Sequence, residues 1–314
     1  MRPALTCDDL PALAATFAAR SGLRHLAVAA LTYLALSAGL VLAVMPQWWA
    51  ALGSLLIGMA LFATTILLHE QAHGLVFARR RARWERVLAV VYACPAGLSA
   101  TQFTRWHLDH HAWLGEHGRD PKRTHLSPKR NRRLIKLSYF CALLFPRYFH
   151  AARAAAAGYS QTLRRRIVAE RVLVLLVHAA WVTGLAWAGA WWSVCWGYLV
   201  PLFVVFPVLF AINRLGQHYL IDPRHPIKMA TRVDGNLVWH LAFLWSNFHL
   251  EHHLYPQVPF YRLPALNRAL RPCYHAINWP SLSYTALLWH WLVRNAEPHT
   301  WWLAEPQEAT QQAP

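Results

Sequence analysis

Residues 247–263 read NFHLEHHLYPQVPFYRL and contain three histidines in an H-x-x-H-H pattern. If this stretch is helical, His249, His252 and His253 occupy positions i, i+3 and i+4, so their imidazoles leave one face of a single turn. Such an arrangement can chelate a metal ion. The stretch therefore predicts a metal centre around which the rest of the chain is organised.

Two further histidine groups precede this stretch. His107, His110 and His111 repeat the H-x-x-H-H pattern, and His69 and His73 form an H-E-x-x-H pair. In a chain with 19 histidines among 314 residues, one pair at i and i+4 is expected about once by chance, whereas two H-x-x-H-H clusters are expected in well under about one such chain in a hundred. Eight histidines in three groups therefore indicate more than one metal ion.

The composition favours a membrane protein. Hydrophobic residues make up 56% of the chain, tryptophan occurs 17 times, and only 14% of the residues are charged. Long apolar segments of this kind are typical of transmembrane helices. The five cysteines are odd in number and form no C-x-x-C pair, which argues against a disulfide framework or a cysteine-based zinc site.

The hydropathy pattern predicts an all-α membrane protein with four transmembrane helices in two hairpins. Residues 25–45 and 48–68 are predicted to form the first hairpin, and residues 172–192 and 194–212 the second. Residues 87–100 are too short to cross and are predicted to be interfacial or re-entrant.

The segments outside these spans contain all the histidine groups and are predicted to form a cytoplasmic helical cap. Residues 1–303 are therefore expected to form a single membrane-embedded domain. Residues 304–314 are expected to form a disordered tail.

The basic residues indicate how the chain is oriented. All 31 lysines and arginines precede the first predicted span, lie between the two hairpins or follow the second hairpin, and neither predicted outer turn contains one. The positive-inside rule then predicts that both termini and all three histidine groups are cytoplasmic. The formal charge of +17 is thus explained by topology and by contact with membrane lipids, and nucleic-acid binding is not expected.

The number of histidines narrows the choice of metal. Imidazole suits iron, zinc, copper and nickel, so the ligand type alone does not choose among them. A zinc site takes three or four protein ligands, and eight or nine histidines exceed one such site. They fit two iron ions with positions left open for oxygen.

These motifs resemble those of the integral-membrane fatty acid desaturase family. The order H-E-x-x-H, H-x-x-H-H and H-x-x-H-H, with a hairpin before the first two and another before the third, is similar to the family pattern. Asp120-Pro121, Thr231-Arg232-Val233 and the residues around the last cluster match it too. The resemblance covers about residues 25–275, and we refer below to the three histidine motifs as histidine boxes.

The resemblance implies a di-iron centre with molecular oxygen as the oxidant. The box histidines would ligate the irons together with His218, which matches a further family ligand; the full set is His69, His73, His107, His110, His111, His218, His249, His252 and His253. Some family members have an asparagine four residues before this further ligand, where the present chain has Arg214, and Asn213 is displaced by one residue.

Six polar residues near the histidines are expected to support the ligands. Glu70, Asp109 and Glu251 lie inside the boxes, and we expect them to accept hydrogen bonds from imidazole N–H groups. The other three lie beside the boxes and beside His218, and they are Asp120, Asn213 and Asn247.

The implied reaction is the oxidation of a lipid acyl chain. Removal of two hydrogens would introduce a double bond. A hydroxylase or ketolase of the same superfamily, acting on a fatty acyl, sphingoid or carotenoid substrate, is the closest alternative. The chain has no His-Pro-Gly-Gly motif, no G-x-G-x-x-G and no cysteine cluster, so no fused cytochrome, flavin or iron–sulfur domain is expected and an external ferredoxin or cytochrome would supply electrons.

Two alternatives belong to other classes of protein. A membrane zinc metalloprotease would use His69 and His73 as ligands, Glu70 as the base and Asp234 as a third ligand. This hypothesis leaves both H-x-x-H-H clusters unexplained. A non-catalytic metal carrier would bind metal without turnover that depends on oxygen and a reductant.

Overall fold

The computed structural model describes residues 10–297 apart from 117, 129, 223, 224 and 226, so the tail expected at residues 304–314 lies outside the described residues. Within the described residues every regular element is helical, and the sole extended pairing is one isolated bridge between Val233 and Leu282. The prediction of an all-α membrane protein is therefore confirmed.

The α-helices are numbered in chain order. They are α1 (Leu10–Phe17), α2 (Gly22–Ala43), α3 (Trp48–Ala72), α4 (Ala82–Ala93), α5 (Ala100–Ala112), α6 (Arg133–Leu137), α7 (Leu144–Ala156), α8 (Gln161–Val194), α9 (Phe206–Leu215), α10 (Leu237–Ala242), α11 (His249–Leu254), α12 (Leu263–Ala276) and α13 (Tyr284–Leu288). Short 3₁₀ or π turns lie at Cys94–Ala96, Lys122–Leu126, Ser138–Phe140, Cys195–Leu199, Pro201–Val205, Phe260–Arg262 and Trp289–Val293.

Helices α2 and α3 form the first predicted hairpin. Ser21 caps α2 by accepting a hydrogen bond from the Arg24 backbone N–H at 3.3 Å. The two helices approach closely at Gly39 and Gly53, since a Cβ on Gly53 would lie 2.6 Å from the Gly39 carbonyl oxygen. Helix α3 continues four residues beyond the predicted span, so His69 is part of the same helix as the apolar segment and His73 is the residue that follows the helix.

The second hairpin turns four residues earlier than predicted. The backbone leaves the helical region at Gly189 and Ala190, and a Cβ on Gly189 would collide with the Ser193 hydroxyl. The chain then folds back, as the distance of 2.8 Å between His178 Nδ1 and the Tyr198 hydroxyl shows. In a continuous helix, residues twenty positions apart would be about 30 Å apart.

Three segments are long and apolar enough to cross a membrane, namely α2, α3 and the 55-residue segment Gln161–Leu215. Helix α3 is the central one, since 72% of its apolar window is buried against 22% for α2 and 33% for the third segment. The exposed surface of α2 is rich in leucine, which suits contact with lipid. Helices α4 and α5 meet at 96° and form a bent pair, in the place where the sequence predicts an interfacial or re-entrant segment.

The start of α5 is joined to α8 by polar contacts. Ser99 caps α5 and also donates to Glu170 of α8 at 2.7 Å, and the Thr101 backbone N–H donates to the same carboxylate at 2.8 Å. These contacts fix the start of α5, which contains the second histidine box, against a predicted membrane-spanning helix.

Candidate metal centre

Nine histidines come together in two adjacent groups. The five-histidine group contains His69, His73, His107, His111 and His252, and the four-histidine group contains His110, His218, His249 and His253. Within each group the candidate ligand nitrogens lie within 4.8 Å of one another. The structure thus brings together all nine histidines that the sequence nominates as metal ligands.

The division between the groups follows helix geometry. In each box the histidines at i and i+4 join the same group, because side chains four residues apart point in nearly the same direction. The histidine at i+3 joins the other group in both H-x-x-H-H boxes, so His110 and His252 are separated from their neighbours in sequence. Each of these two boxes therefore contributes histidines to both groups.

The four-histidine group has the spacing of ligands around one ion. The Nε2 atom of His218 lies 2.9 Å from that of His110, 3.0 Å from that of His249 and 3.0 Å from that of His253. Two imidazole nitrogens bound at right angles about 2.1 Å from one ion would be about 3 Å apart.

Tautomers show why a cation fits this spacing. The Nδ1 atom of His218 lies 3.1 Å from the Met229 carbonyl oxygen, which only accepts hydrogen bonds, so Nδ1 must carry the proton. The Nδ1 atom of His110 lies 3.0 Å from a carboxylate oxygen of Asp120 and donates in the same way. Both Nε2 atoms then present bare lone pairs to each other, which repel unless a cation lies between them.

The five-histidine group is similarly compact but has fewer partners. Its Nε2 atoms approach to 2.6 Å between His73 and His107, and to 3.1 Å between His111 and His252. Among the described residues, Nδ1 of His107 and Nδ1 of His252 are buried without a hydrogen-bond partner. His69 Nδ1 lies 3.5 Å from Glu70 Oε1.

Burial keeps these imidazoles neutral, as metal ligation requires. Removal from water lowers the pKa of His107, His110 and His249 well below 6.5, and neighbouring histidines or Lys122 lower it further. The same burial lowers the pKa of His73 to about 4. At neutral pH the lone pairs are therefore available.

The six supporting residues have different surroundings. Asp120 is fully buried and accepts hydrogen bonds from His110 Nδ1 and from the backbone N–H groups of Gly115, Lys122 and Arg123. Glu70 accepts a hydrogen bond from the Phe260 backbone N–H at 3.0 Å, which joins the end of α3 to the segment after α11.

Among the described residues, the two other box acids form no hydrogen bond or ion pair with an imidazole. Asp109 pairs instead with Arg105 at 2.9 Å, one turn earlier on α5. Glu251 is buried and accepts hydrogen bonds from Asn267 at 2.6 Å and Tyr274 at 2.8 Å, both on α12. Burial raises the pKa of Glu251, and these hydrogen bonds oppose the shift.

The two asparagines also bind groups other than the nine histidines. Asn213 donates to the Ser246 hydroxyl at 3.0 Å and accepts from Gln217 at 2.9 Å. Asn247 lies 3.1 Å from Nδ1 of His240, a histidine outside both groups. Asn267 and Tyr274 escape sequence reasoning, because nothing in their local pattern indicates that their partner lies on another helix.

An apolar cavity opens onto the histidines. The space between its lining atoms amounts to about 930 Å³, including the part that is open to solvent. Aromatic and aliphatic side chains of α3, α5, α7 and α9 line it, and His69, His107 and His249 line the same cavity. Both histidine groups therefore border one apolar space.

The fold and the site together define an all-helical membrane protein with a buried histidine site that could hold two metal ions. The fatty acid desaturase family model matches residues 46–303, so the chain belongs to that family, as the histidine boxes predict. It is an oxidoreductase of lipid metabolism, and the family is generally di-iron dependent.

Curated relatives are sphingolipid desaturases. The human sphingolipid delta(4)-desaturase/C4-monooxygenase DES2 is 27% identical over 242 residues, covering 74% of this chain and 68% of that protein. The Drosophila melanogaster sphingolipid delta(4)-desaturase DES1 is 24% identical over 233 residues, covering 73% and 68%. The human DES1 protein is 32% identical over a shorter stretch of 74 residues, covering 23% of each chain.

Proposed function

We propose that this protein is an oxygen-dependent di-iron desaturase that introduces a double bond into a lipid acyl chain. The observation that carries the proposal is the arrangement of nine neutral imidazoles in two adjacent groups, each of which borders the same apolar cavity through at least one histidine. Imidazole nitrogens are suitable ligands for iron, and the cavity suits a hydrocarbon chain. The family match and the sphingolipid desaturase relatives support the same activity.

The two groups would each hold one iron ion. His69, His73, His107, His111 and His252 would bind one, and His110, His218, His249 and His253 the other. Two irons supply the oxidising power that abstraction of hydrogen from an unactivated C–H bond requires, with molecular oxygen as the oxidant. Asp120 and the Met229 carbonyl would hold His110 and His218 in the tautomer that presents Nε2 to the metal.

The cavity wall would position the substrate and exclude water. Phe62 and Ile66 lie on α3 two turns and one turn before His69, respectively, and Phe206 of α9 lines the same cavity. A chain lying between them would have its methylene groups against the imidazoles. Apolar walls hold the chain without hydrogen bonds, so its position along the cavity would depend on its polar end.

We further propose four membrane crossings, with both termini and the histidine site cytoplasmic and with residues 1–303 as one domain. The turn at Gly189 and Ala190 divides the 55-residue segment into two arms that each have the length of a span. An external ferredoxin or cytochrome would then reach the basic cytoplasmic face, where an acidic surface would be attracted.

Cys141 provides a test of this orientation, since it is exposed in the segment between the hairpins. A membrane-impermeant maleimide should label a Cys7→Ser variant at Cys141 only when the cytoplasmic face is accessible. A Cys7→Ser, Cys141→Ser variant is the control. Labelling from the opposite face of sealed vesicles that is absent from the control variant would contradict the proposed topology.

A hydroxylase is the second candidate function, because the human relative is named both as a desaturase and as a C4-monooxygenase. The metalloprotease alternative is not favoured by the geometry. Asp234 is its third ligand, but this carboxylate lies 3.4 Å from Arg232 and lines a separate surface groove with that residue.

Lipid analysis separates the candidate reactions. Total lipids from cells expressing the chain should contain a new unsaturated species, located by mass spectrometry with double-bond assignment. A His252→Ala, His253→Ala variant should lack this species, and a variant of the exposed His150, His150→Ala, should retain it. A product heavier by one oxygen would identify a hydroxylase, and an unchanged lipid profile with a functioning donor would contradict both activities.

A further inference from the structure

Two cationic side chains lie where the apolar cavity meets a second cavity. The second cavity has a volume of about 710 Å³ and is bordered by His110 and His218. Lys122, Leu126, Phe210 and Arg214 line both cavities, so they form the partition between them. Nothing in the proposed desaturation at the histidines uses Lys122 or Arg214.

The ammonium group of Lys122 has no hydrogen-bond or ion-pair partner in the part of the chain that the structure describes. Among residues 10–297, leaving aside the five undescribed positions, its Nζ atom makes neither a hydrogen bond nor an ion pair; the backbone N–H of the same residue donates to Asp120 at 3.0 Å. Burial lowers the pKa of Lys122, the nearby Arg214 lowers it further, and Asp120 acts in the opposite direction. The side chain remains partly accessible because it borders the cavities.

The hydrogen-bond donors of Arg214 are only partly used by its surroundings. Its guanidinium donates one hydrogen bond to Gln217 Oε1 at 3.0 Å and lies 5.9 Å from the Phe210 ring centroid. A guanidinium has five N–H donors, so it has capacity for a further acceptor. Gln217 is neutral, and the acid whose charge acts on Arg214 is Asp120, which also acts on Lys122.

The nearby negative charge is already shared. Asp120 is the acid that interacts electrostatically with Lys122, and its carboxylate also accepts hydrogen bonds from His110 and three backbone N–H groups. Two divalent ions held by neutral imidazoles would add positive charge without adding any negative charge. The positive charges would then outnumber the negative charges of the buried acids Glu70, Asp120 and Glu251. A buried charge is costly unless it is paired.

We propose that Lys122 and Arg214 bind one oxyanion, a carboxylate or a phosphate, at the junction of the two cavities. Lysine and arginine are the side chains that form charge-assisted hydrogen bonds with such groups. The site deepens the proposed function, because an anionic end held there places the adjoining hydrocarbon chain in the cavity bordered by His69, His107 and His249. The polar end would thereby set which carbons face the histidines.

The test compares two ligands that differ only in their polar end. Binding of radiolabelled palmitate and of radiolabelled hexadecanol is measured with the full chain, loaded with iron, in nanodiscs of neutral phosphatidylcholine. Inorganic phosphate is added as a competitor without a chain. Palmitate is expected to bind at least about tenfold more tightly than hexadecanol, since the carboxylate gains charge-assisted hydrogen bonds.

Four variants locate the effect. Lys122→Met and Arg214→Gln should each remove the preference for palmitate, whereas Lys122→Arg should keep it because the charge is preserved. Arg268→Gln, at an exposed arginine of α12, is the matched control and should bind as the unaltered chain does. Iron content and thermal midpoint are measured for each variant, and the charge-preserving variant distinguishes lost charge from lost folding.

The outcomes separate the source of the oxyanion and test the site itself. Competition by phosphate would show that a free oxyanion is sufficient, and palmitate preference without competition would show that the lipid head is the ligand. Equal binding of palmitate and hexadecanol without phosphate binding would overturn the proposal, as would an unchanged preference in both charge-removing variants. Since binding is measured without turnover, retained oxyanion binding with no lipid oxidation would overturn the proposed function alone.

Discussion

The two histidine groups differ in how the protein supports them. In the four-histidine group, the Nδ1 atoms of His110 and His218 are bound to Asp120 and to the Met229 carbonyl. In the five-histidine group, the Nδ1 atoms of His107 and His252 are buried and have no partner among the described residues. One group therefore has its ring orientations fixed by hydrogen bonds, whereas the other depends more on packing and on the metal.

The groups also differ in how far apart their ligands lie in the chain. Four of the five histidines of the larger group come from α3, the residue that follows it, and α5. The smaller group combines α5, α11 and His218, which follows α9. Both groups therefore depend on contacts between segments that are far apart in the chain.

The largest effect is expected from substituting two neighbouring histidines that belong to different groups. His252→Ala should remove the ion of the five-histidine group, and His253→Ala should remove the ion of the four-histidine group. The two residues are nevertheless adjacent on α11. Each variant should retain about one iron per chain and lose more than about a hundredfold in activity. Iron is counted by mass spectrometry of the purified protein, and loss of both ions in both variants would contradict the division.

A smaller effect is expected where hydrogen bonds support only one group. Asp120→Asn should weaken iron binding by the four-histidine group by about 10- to 100-fold, because an amide is a poorer acceptor from His110 Nδ1. Iron retention during titration with a chelator measures this loss. The other ion should be retained as in the unaltered protein.

Asp109→Asn is the matched control for that experiment. Asp109 lies between two ligands in sequence, but its carboxylate pairs with the exposed Arg105 and contributes about 0–1 kcal/mol. Iron binding should be unaffected. A loss equal to that of Asp120→Asn would show that position in the box matters more than contact with an imidazole.

The smallest effect is expected from weakening the contacts of α11, the helix that supplies ligands to both groups. Glu251→Gln should weaken the contacts of α11 with Asn267 and Tyr274 and destabilise the protein by about 1–3 kcal/mol. Thermal unfolding measures this change. Because α11 supplies ligands to both groups, the two ions should be released together, and selective loss of one ion would contradict a shared support.

The apolar runs were sufficient to place the first hairpin within a few residues. The start of α3 agrees with the prediction at Trp48, but its end lies four residues later because His69 and Glu70 are polar while the backbone stays helical. Hydropathy reports the end of the apolar segment and not the end of the helix. The turn at Gly189 and Ala190 escaped the prediction for a related reason, since the apolar run continues through it.

The sequence by itself determined the family, the all-helical membrane class and the nine candidate ligands, because each depends on local spacing or on apolar length. Helix periodicity also explains why histidines at i and i+4 share a group. Only the tertiary structure decided which boxes share a group, that Asp120 contacts an imidazole while Asp109 does not, and that Lys122 and Arg214 meet between two cavities. These facts depend on how distant helices pack against one another, which local spacing does not specify.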